Sequence, residues 1–545
     1  MGTDEQCGIL CTKSHSKKEL EKFRMLIDEE YRVQWQLDGL PVTMRIEDEE
    51  YIERGFPLGY VENVEGGKNT HYLYNHVRII VKFSENEEEF DGKRIVGFEV
   101  VPMSVNHQVV PGADGAQKGT PSLSTCKKDD PYVIEKQDPQ SLEGKEVEVL
   151  YTYDVVWEES EIAWANRYDI YLKTNPDDEI HYFSIVNSLM ILLFLTGVVA
   201  MIMLRTLHKD ISSYNELQTL EEAQEESGWK LVHGDVFRPP TTSPLLLSVM
   251  AGSGVQITVM MVAAMVCALF GLTSPANRGG LLTTLIFLFV MMGSIAGYCS
   301  ARVYKLMHGK LWKRSTFLTA TLFPGVVGVV VLLINAAAAY EGSTATIPFS
   351  TLLAVIALWL GVSTPLVLVG SYYGFRKETI EVPVRTNQIN RHIPEQLWYT
   401  HPFFGIALGG ILPFGAVCIE LFFIMSAMWL HQMYYVFGFL FIVFVILIIT
   451  CAEITIVLCY FQLCNEDYRW WWRSFLCSGS SAFYLLLYSA WYFSAKLKIT
   501  GFIPSVMYFL YMFIAALTFF LLTGSIGFFS CLWFVRKIYA FIKVD

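Results

Sequence analysis

Two carboxylates stand in stretches that are otherwise apolar: Glu420 within Phe403 to Leu430, and Glu453 within Tyr434 to Gln462. A carboxylate at membrane depth is costly unless it is protonated, paired or hydrated, so each is a candidate functional residue. Two readings are open for them. One is a proton or cation relay between adjacent helices. The other is a hydrogen bond across a helix interface, either internal or to a helix of another protein. Familiar enzyme chemistry is absent: the chain has no HExxH, P-loop, GxSxG, CxxC or EF-hand pattern. A non-enzyme is expected, with no cofactor and no metal.

Of 11 cysteines, Cys7, Cys11 and Cys126 precede the first long apolar stretch. The spacing of Cys7 and Cys11 offers no further metal ligands nearby, so a structural disulfide is favoured over zinc. An odd number implies either a partner thiol outside this sequence or one free thiol. The tail Arg536-Lys537-Ile538-Tyr539-Ala540-Phe541-Ile542-Lys543-Val544-Asp545 ends in a Lys-x-Asp triplet, Lys543 and Asp545, of a kind a receptor could read as an address. Tyr539 and Ile542 also fit a Tyr-x-x-bulky endocytic signal, set very close to the bilayer. Trp470, Trp471 and Trp472 precede the eighth apolar stretch, and indoles favour the headgroup level, so an interfacial anchor is expected.

The elements that must position these residues follow from composition. The chain has 545 residues, 53% of them hydrophobic, 17% charged, and its mean hydropathy is +0.36. Residues 1–182 hold 37 Asp and Glu against 20 Lys and Arg, a net of −17; residues 183–545 hold 16 against 21, a net of +5. An acidic polar third is thus joined to a membrane-embedded two-thirds. Disorder, a fibrous protein and a nucleic-acid binder are excluded.

Nine stretches reach the roughly 20 apolar residues that a crossing requires. They run from Phe183 to Leu204, Leu245 to Phe270, Leu281 to Tyr304, Thr316 to Tyr340, Pro348 to Tyr372, Phe403 to Leu430, Tyr434 to Gln462, Phe475 to Ala495 and Ile503 to Val535. One set of connecting loops and the tail carry 18 Lys and Arg; the other set carries three, Arg278, Lys496 and Lys498. The positive-inside rule then places the C-terminus in the cytosol and residues 1–182 in the lumen or exterior. Met1 to Leu20 has no apolar signal region, which leads to the expectation that the natural chain begins earlier, or that the first span acts as its own insertion signal.

The expected fold is therefore an integral membrane bundle of nine transmembrane helices with an N-terminal lumenal β-sandwich-like domain. Its parts are a lumenal domain over 1–182, a first transmembrane helix over 183–204, a cytosolic loop over 205–244, an eight-helix domain over 245–535, and a cytosolic tail over 536–545. In the lumenal part Ser16-Lys17-Lys18-Glu19 predicts a capping box opening a helix to about Tyr31. Tyr72 to Phe83, Arg94 to Val105, Glu146 to Trp157 and Arg167 to Lys173 alternate as strands do. The acidic run Glu85 to Asp91 reads as a solvated loop. Small residues four apart recur as Gly293/Gly297, Gly370/Gly374 and Gly405/Gly409, which suit close helix packing, internal or against a partner's helix. Pro324, Pro365, Pro413 and Pro504 are candidate kinks.

Several longer runs resemble one family. Asp28-Glu29-Glu30-Tyr31-Arg32-Val33 followed by Leu37-Asp38-Gly39-Leu40-Pro41 is similar to the "DEYRV…LDNLP" stretch of the nonaspanins, also called the transmembrane 9 superfamily or endomembrane protein 70 family. Ala452-Glu453-Ile454-Thr455-Ile456-Val457, Glu466-Asp467-Tyr468-Arg469-Trp470-Trp471-Trp472-Arg473 and the terminal Lys543-Val544-Asp545 resemble it too. The resemblance implies a multi-pass Golgi and endosomal protein retained by coatomer, whose signal maps onto Lys543 and Asp545. It also implies a part in sorting and surface delivery of membrane proteins with glycine-rich transmembrane helices. A proton-coupled transporter or channel built on Glu420 and Glu453 is the competing reading. The partners implied are coatomer, transmembrane cargo and the lipid bilayer.

Overall fold

Ser16 and Glu19 open the first helix as the sequence requires: the Ser16 N–H donates to the Glu19 carboxylate at 3.0 Å and the reciprocal bond closes the capping box. The helix, α1 (Lys17–Asp28), buries Leu20 and Ile27. It stops earlier than expected because Glu30 takes a left-handed φ of 55°. The Glu30 and Tyr31 amides then turn back to the carbonyls of Ile27 and Leu26, at 3.0 and 2.8 Å, a Schellman ending. These details come from a computed structural model. It describes residues 3–45, 52–64, 68–85, 92–107, 138–144, 146–168, 171, 186–201, 204, 228–270, 280–343, 346–396, 401–429, 437–497, 499 and 501–540. Two units emerge, one of Met1–Glu179 with Phe423–Tyr435, the other of Ile180–Phe422 with Val436–Asp545.

The first unit is built on one mixed six-stranded sheet. Its strands lie in the order β1 (Glu5–Ser16), β12 (Glu146–Glu159), β10 (His76–Glu85), β11 (Lys93–Met103), β5 (Thr43–Arg45) and β6 (Ile52–Arg54). β10 runs parallel to β12 and antiparallel to β11. Three two-stranded ribbons accompany it: β2 (Arg32–Val33) with β7 (Phe56–Pro57), β3 (Gln36–Leu37) with β4 (Leu40–Pro41), and β8 (Gly59–Val64) with β9 (Lys68–Leu73). Among the described residues this replaces the two facing sheets of the expected sandwich. β1 escaped the sequence reading because it is an edge strand, mostly exposed, and needs no alternating apolar face.

Leu37-Asp38-Gly39-Leu40-Pro41 is a two-residue hairpin. Asp38 and Gly39 have φ of 50° and 80°, as a type I′ turn demands. Arg167 holds the turn by donating to Asp38 at 2.7 Å and to the Ile95 carbonyl at 3.1 Å. The Tyr171 hydroxyl donates to the Pro41 carbonyl at 2.7 Å, and its ring joins Leu40, Val42, Phe56, Phe98 and Val100 in a core cluster. The predicted strand over Arg167 to Lys173 is corrected by this arrangement. Trp164–Asn166 is a short 3₁₀ turn, Arg167 and Tyr168 follow in a turn, and the aromatic pattern there serves packing rather than a ladder.

In the second unit a helix occupies each of the nine apolar stretches, but their lengths differ. Among the described residues six are long and apolar enough to cross a membrane alone. They are Pro244–Ala268 within α3 (Pro244–Leu269), α6 (Trp312–Tyr340), Phe349–Arg376, Pro402–Phe422 within α9 (Pro402–Trp429), Leu440–Cys464 within α10 (Phe437–Cys464), and α13 (Phe502–Ala540). A seventh is the pair α4 (Gly280–Met291) and α5 (Gly293–Leu306), bent by 40°. The expected first span is described as helix α2 over Val186–Met201, and the eighth is broken at Ser480 into α11 (Trp470–Gly479) and α12 (Ser481–Ala495). Nine full-length spans are thus more than these helix lengths show.

The prolines act unequally. Pro324 lies inside unbroken α6 and cannot donate to the Ala320 carbonyl one turn back. The Trp359 indole N–H donates there instead, at 3.0 Å. The span Phe349–Arg376 changes to π-helical winding over Trp359–Ser363, separating α7 (Phe349–Leu358) from α8 (Thr364–Arg376), with Pro365 placed where a missing N–H is harmless.

The loops rich in Lys and Arg meet at one end of the bundle. Arg238 reaches the Asn387 carbonyl at 2.8 Å; Arg391 reaches the Leu231 carbonyl at 3.2 Å and the Glu466 carboxylate at 3.1 Å. Arg536 donates to the Glu381 carbonyl at 3.2 Å, and Trp470 to the Val236 carbonyl at 2.8 Å.

Candidate functional site

Both intramembrane carboxylates face α2. Ser188, Leu192 and Thr196 recur every four residues and so share one face of that helix. Opposite them, Ala416 and Glu420 are four apart on α9, and Ile446 and Glu453 are seven apart on α10. Leu192 packs with Ala416 and Ile446 in a buried cluster. On one side of it the Ser188 hydroxyl reaches the Ala416 carbonyl at 2.9 Å and donates to Glu420 Oε1 at 3.1 Å. On the other side the Thr196 hydroxyl donates to Glu453 Oε1 at 2.7 Å. Glu420 is buried, and Glu453 Oε2 is buried with no hydrogen-bond partner among the described residues.

The two hydroxyls are eight residues apart, or about 12 Å along a helix that rises 1.5 Å per residue. The carboxylates are therefore two separate anchors at different depths, not a proton-sharing pair. Sequence reasoning found the carboxylates but missed Ser188 and Thr196. Their signal was present, as two hydroxyls eight apart in a span, but hydroxyls commonly bond their own helix and so do not stand out.

The glycine pairs are consumed within the bundle. A side chain at Gly297 would run into the Val367 carbonyl, and one at Gly370 into the Ser294 carbonyl, so the Gly293/Gly297 and Gly370/Gly374 faces of α5 and α8 serve each other. Gly405 and Gly409 of α9 lie against Arg473 and Cys477 of α11. These faces are not free for another protein's helix.

The tryptophans also differ from expectation. Trp470 and Trp471 are 0% and 2% exposed, stacked at 4.3 Å, and packed beside Phe528 of α13. Their rings pack inside the protein, where the Trp470 indole donates to the Val236 carbonyl at 2.8 Å. Only Trp472 reaches the periphery, its indole donating to the Thr242 carbonyl at 2.7 Å. Tyr539 lies in the last turn of α13, 1% exposed, with its hydroxyl donating to the Trp229 carbonyl at 2.7 Å. An endocytic adaptor would need that ring extended and accessible, so the structure argues against Tyr539 in that role. Ile542, Lys543 and Asp545 lie outside the described residues, as does Cys126. Cys7 is disulfide-bonded and Cys11 is a free, exposed thiol.

A polar network unforeseen in the sequence lies inside the sheet of the first unit. The His76 ring is fully buried, 2.8 Å from the Thr152 hydroxyl and 3.3 Å from Asp154 Oδ2. His107 meets the same Thr152 hydroxyl at 2.8 Å, and the Cys7 amide donates to Asp154 Oδ1 at 2.8 Å. Burial, followed by the nearby His76, pushes His107 down from 6.5 to about 4. Burial alone would raise Asp154, but the bonds from His76 and the Cys7 amide, with the charges of His76 and Arg78, outweigh it and hold the carboxyl below its ordinary range.

The unfolded chain takes up a proton on His107 near 6.5 and the folded chain only near 4. Stability therefore falls as pH drops through that window and is flat below it. Asp154 adds a loss of the same sign at still lower pH, as the carboxylate protonates. Between about pH 7 and about pH 5, His107 should remove about 1 kcal/mol from the sheet domain, after discounting for the water that reaches the ring. Thermal unfolding of the full chain at the two pH values checks this. His107→Gln should flatten the difference, and an equal loss in wild type and variant would refute it.

The family model described as Endomembrane protein 70 matches residues 1–502. The chain is 52% identical to Transmembrane 9 superfamily member 9 of Arabidopsis thaliana, over 99% of this chain and 84% of the relative. It is 45% identical to Transmembrane 9 superfamily member 4 of Homo sapiens, over 100% of this chain and 86% of the relative. With Transmembrane 9 superfamily member 2 of Rattus norvegicus the identity is 46%, over 99% and 82%. No solved structure matches.

Proposed function

The chain belongs to the transmembrane 9 superfamily, the endomembrane protein 70 family, and from that membership we propose that it is a sorting receptor or chaperone for membrane proteins with glycine-rich transmembrane helices. In this reading it is a nine-span, non-enzymatic protein of Golgi and endosomal membranes. Its sheet domain is lumenal, and its basic loops and tail are cytosolic. Coatomer binds the tail through Lys543 and Asp545 and returns the protein to the Golgi. The gathering of the basic loops at one end of the bundle supports this orientation.

One observation carries the sorting reading: α2 is held sideways on the bundle by Ser188 on Glu420 and Thr196 on Glu453. Such a seat recognises a transmembrane helix by small residues and hydroxyls on one face, worth about 0.6 to 1.7 kcal/mol per bond in a membrane. A cargo helix with small and polar residues presents the same chemistry. Gly325 and Gly328 of α6 and Gly361 beside α7 have nothing packed on them among the described residues, which leaves close-approach positions on the bundle.

The test is surface abundance of a reporter with a glycine-rich transmembrane helix in cells lacking this protein. Abundance should fall, and the double variant Glu420→Gln with Glu453→Gln should restore it as well as wild type, because Gln still accepts the hydroxyl bonds. Loss of rescue by the Gln pair would favour the proton-coupled transporter. Delivery that never depended on the protein would remove the sorting reading. In the same cells Lys543→Ala should disperse the protein from the Golgi; unchanged localisation would refute the tail signal.

A further inference from the structure

At the basic end of the bundle, beside α5 and α13 and the segment that follows α8, lies an open cleft of about 620 Å³. Arg302, Lys377 and Arg536 line it together with Glu378, Thr379, Ile380 and Glu381. Arg302 and Arg536 lie about one turn before the ends of α5 and α13, and Lys377 is the residue just past α8. The two lining arginines are anchored by neutral backbone oxygens. Arg302 donates to the Glu378 carbonyl, and Arg536 donates to the Glu381 carbonyl at 3.2 Å. Lys305 ties the segment down through the Phe375 and Lys377 carbonyls at 2.9 and 2.5 Å. Among the described residues none of Arg302, Lys377 and Arg536 is in a salt bridge, so their charges are not cancelled by direct pairing.

Arg376 and Lys537, both exposed, stand beside the cleft in sequence. With Lys305, the described residues of these segments carry six cations against the two carboxylates of Glu378 and Glu381. A basic pocket between transmembrane helices at the headgroup level matches the chemistry of a phosphorylated lipid head. Its acyl chains would follow the apolar sides of the same helices.

We propose that this cleft binds the phosphorylated headgroup of an anionic lipid of the phosphoinositide class, drawn from the leaflet at the basic end of the bundle. The site is independent of the cargo seat at α2 and goes beyond the sorting reading. Arg302 and Arg536, with their multiple N–H donors, grip phosphate oxygens, and Lys377 supplies a point charge at the rim. Glu378 and Glu381 supply acceptors for ring hydroxyls.

The test reconstitutes the full chain in nanodiscs of phosphatidylcholine, of phosphatidylcholine with a phosphatidylinositol phosphate, and of phosphatidylcholine with phosphatidylserine at matched charge. Bound lipid is read by native mass spectrometry and thermal unfolding. Selective retention of the phosphoinositide and a raised unfolding temperature are expected. Each lost cation should weaken binding about fivefold, so Arg302→Gln with Lys377→Gln should weaken it about 25-fold. Lys377→Arg should keep it. Unchanged unfolding of the variants in phosphatidylcholine alone checks that they are folded, and Lys377→Gln, at an exposed position, serves alone if the double variant is not. Equal retention of phosphatidylserine, equal binding by the Gln variants, or binding of a soluble inositol phosphate as tight as the lipid would each overturn the proposal.

Discussion

Trp470→Ala should destabilise the membrane unit by about 3–5 kcal/mol, the range for truncating a buried Trp. The ring is fully enclosed, stacked on Trp471 and against Phe528, and its indole N–H is bonded to the Val236 carbonyl. The truncation removes the stack, opens a cavity too apolar to fill with water, and leaves a buried carbonyl without its donor. It also unfastens residues 228–238 from α11. Trp472→Ala is the control, because that ring is at the periphery and would contribute mainly its bond to Thr242. Thermal unfolding of the full chain in nanodiscs separates the two roles. Equal, small losses for Trp470 and Trp472 would return both to the interfacial anchor that their position in the sequence suggests.

Gly370→Leu should cost about 3 kcal/mol, at the upper end for overpacking. The α5–α8 interface is the closest kind of helix contact, each glycine giving its place to the other helix's backbone. Ser371 adds a hydroxyl bond to the Gly297 carbonyl at 3.3 Å. A side chain at 370 lands on the Ser294 backbone, which cannot rotate away as a flexible side chain could. The helices must separate, losing the dispersion that replaces hydrophobic driving force inside a bilayer. Gly325→Leu, at a position with nothing nearby, should be neutral in the same measurement. If both substitutions cost the same, the effect belongs to glycine itself and not to the interface.

The apolar runs and the capping box at Ser16 were legible because each depends on neighbours within a few residues. The same is true of the charge asymmetry between loops. Where the reading went astray, a side chain's role was set by a distant partner. Arg167 and Tyr171 looked like a strand, yet their partners at Asp38 and Pro41 are about 130 residues away in the chain, at separations of 129 and 130. Gly370 suits close packing either inside the bundle or against another protein's helix, and only the Ser294 backbone lying against it decides for the interior.

The candidate site divides along the same line. That Glu420 and Glu453 must be accounted for follows from hydropathy alone, since a carboxylate in hydrocarbon always needs a partner. Which partner each one has was decided by how α2 lies on α9 and α10, and helix packing depends on shape along whole faces rather than on any local pattern. Likewise the sequence determined that one set of connecting loops is basic, because charge is a property of composition. Only the tertiary structure put Arg302, Lys377 and Arg536 around one cleft, because they belong to helices far apart in the chain that packing brings together.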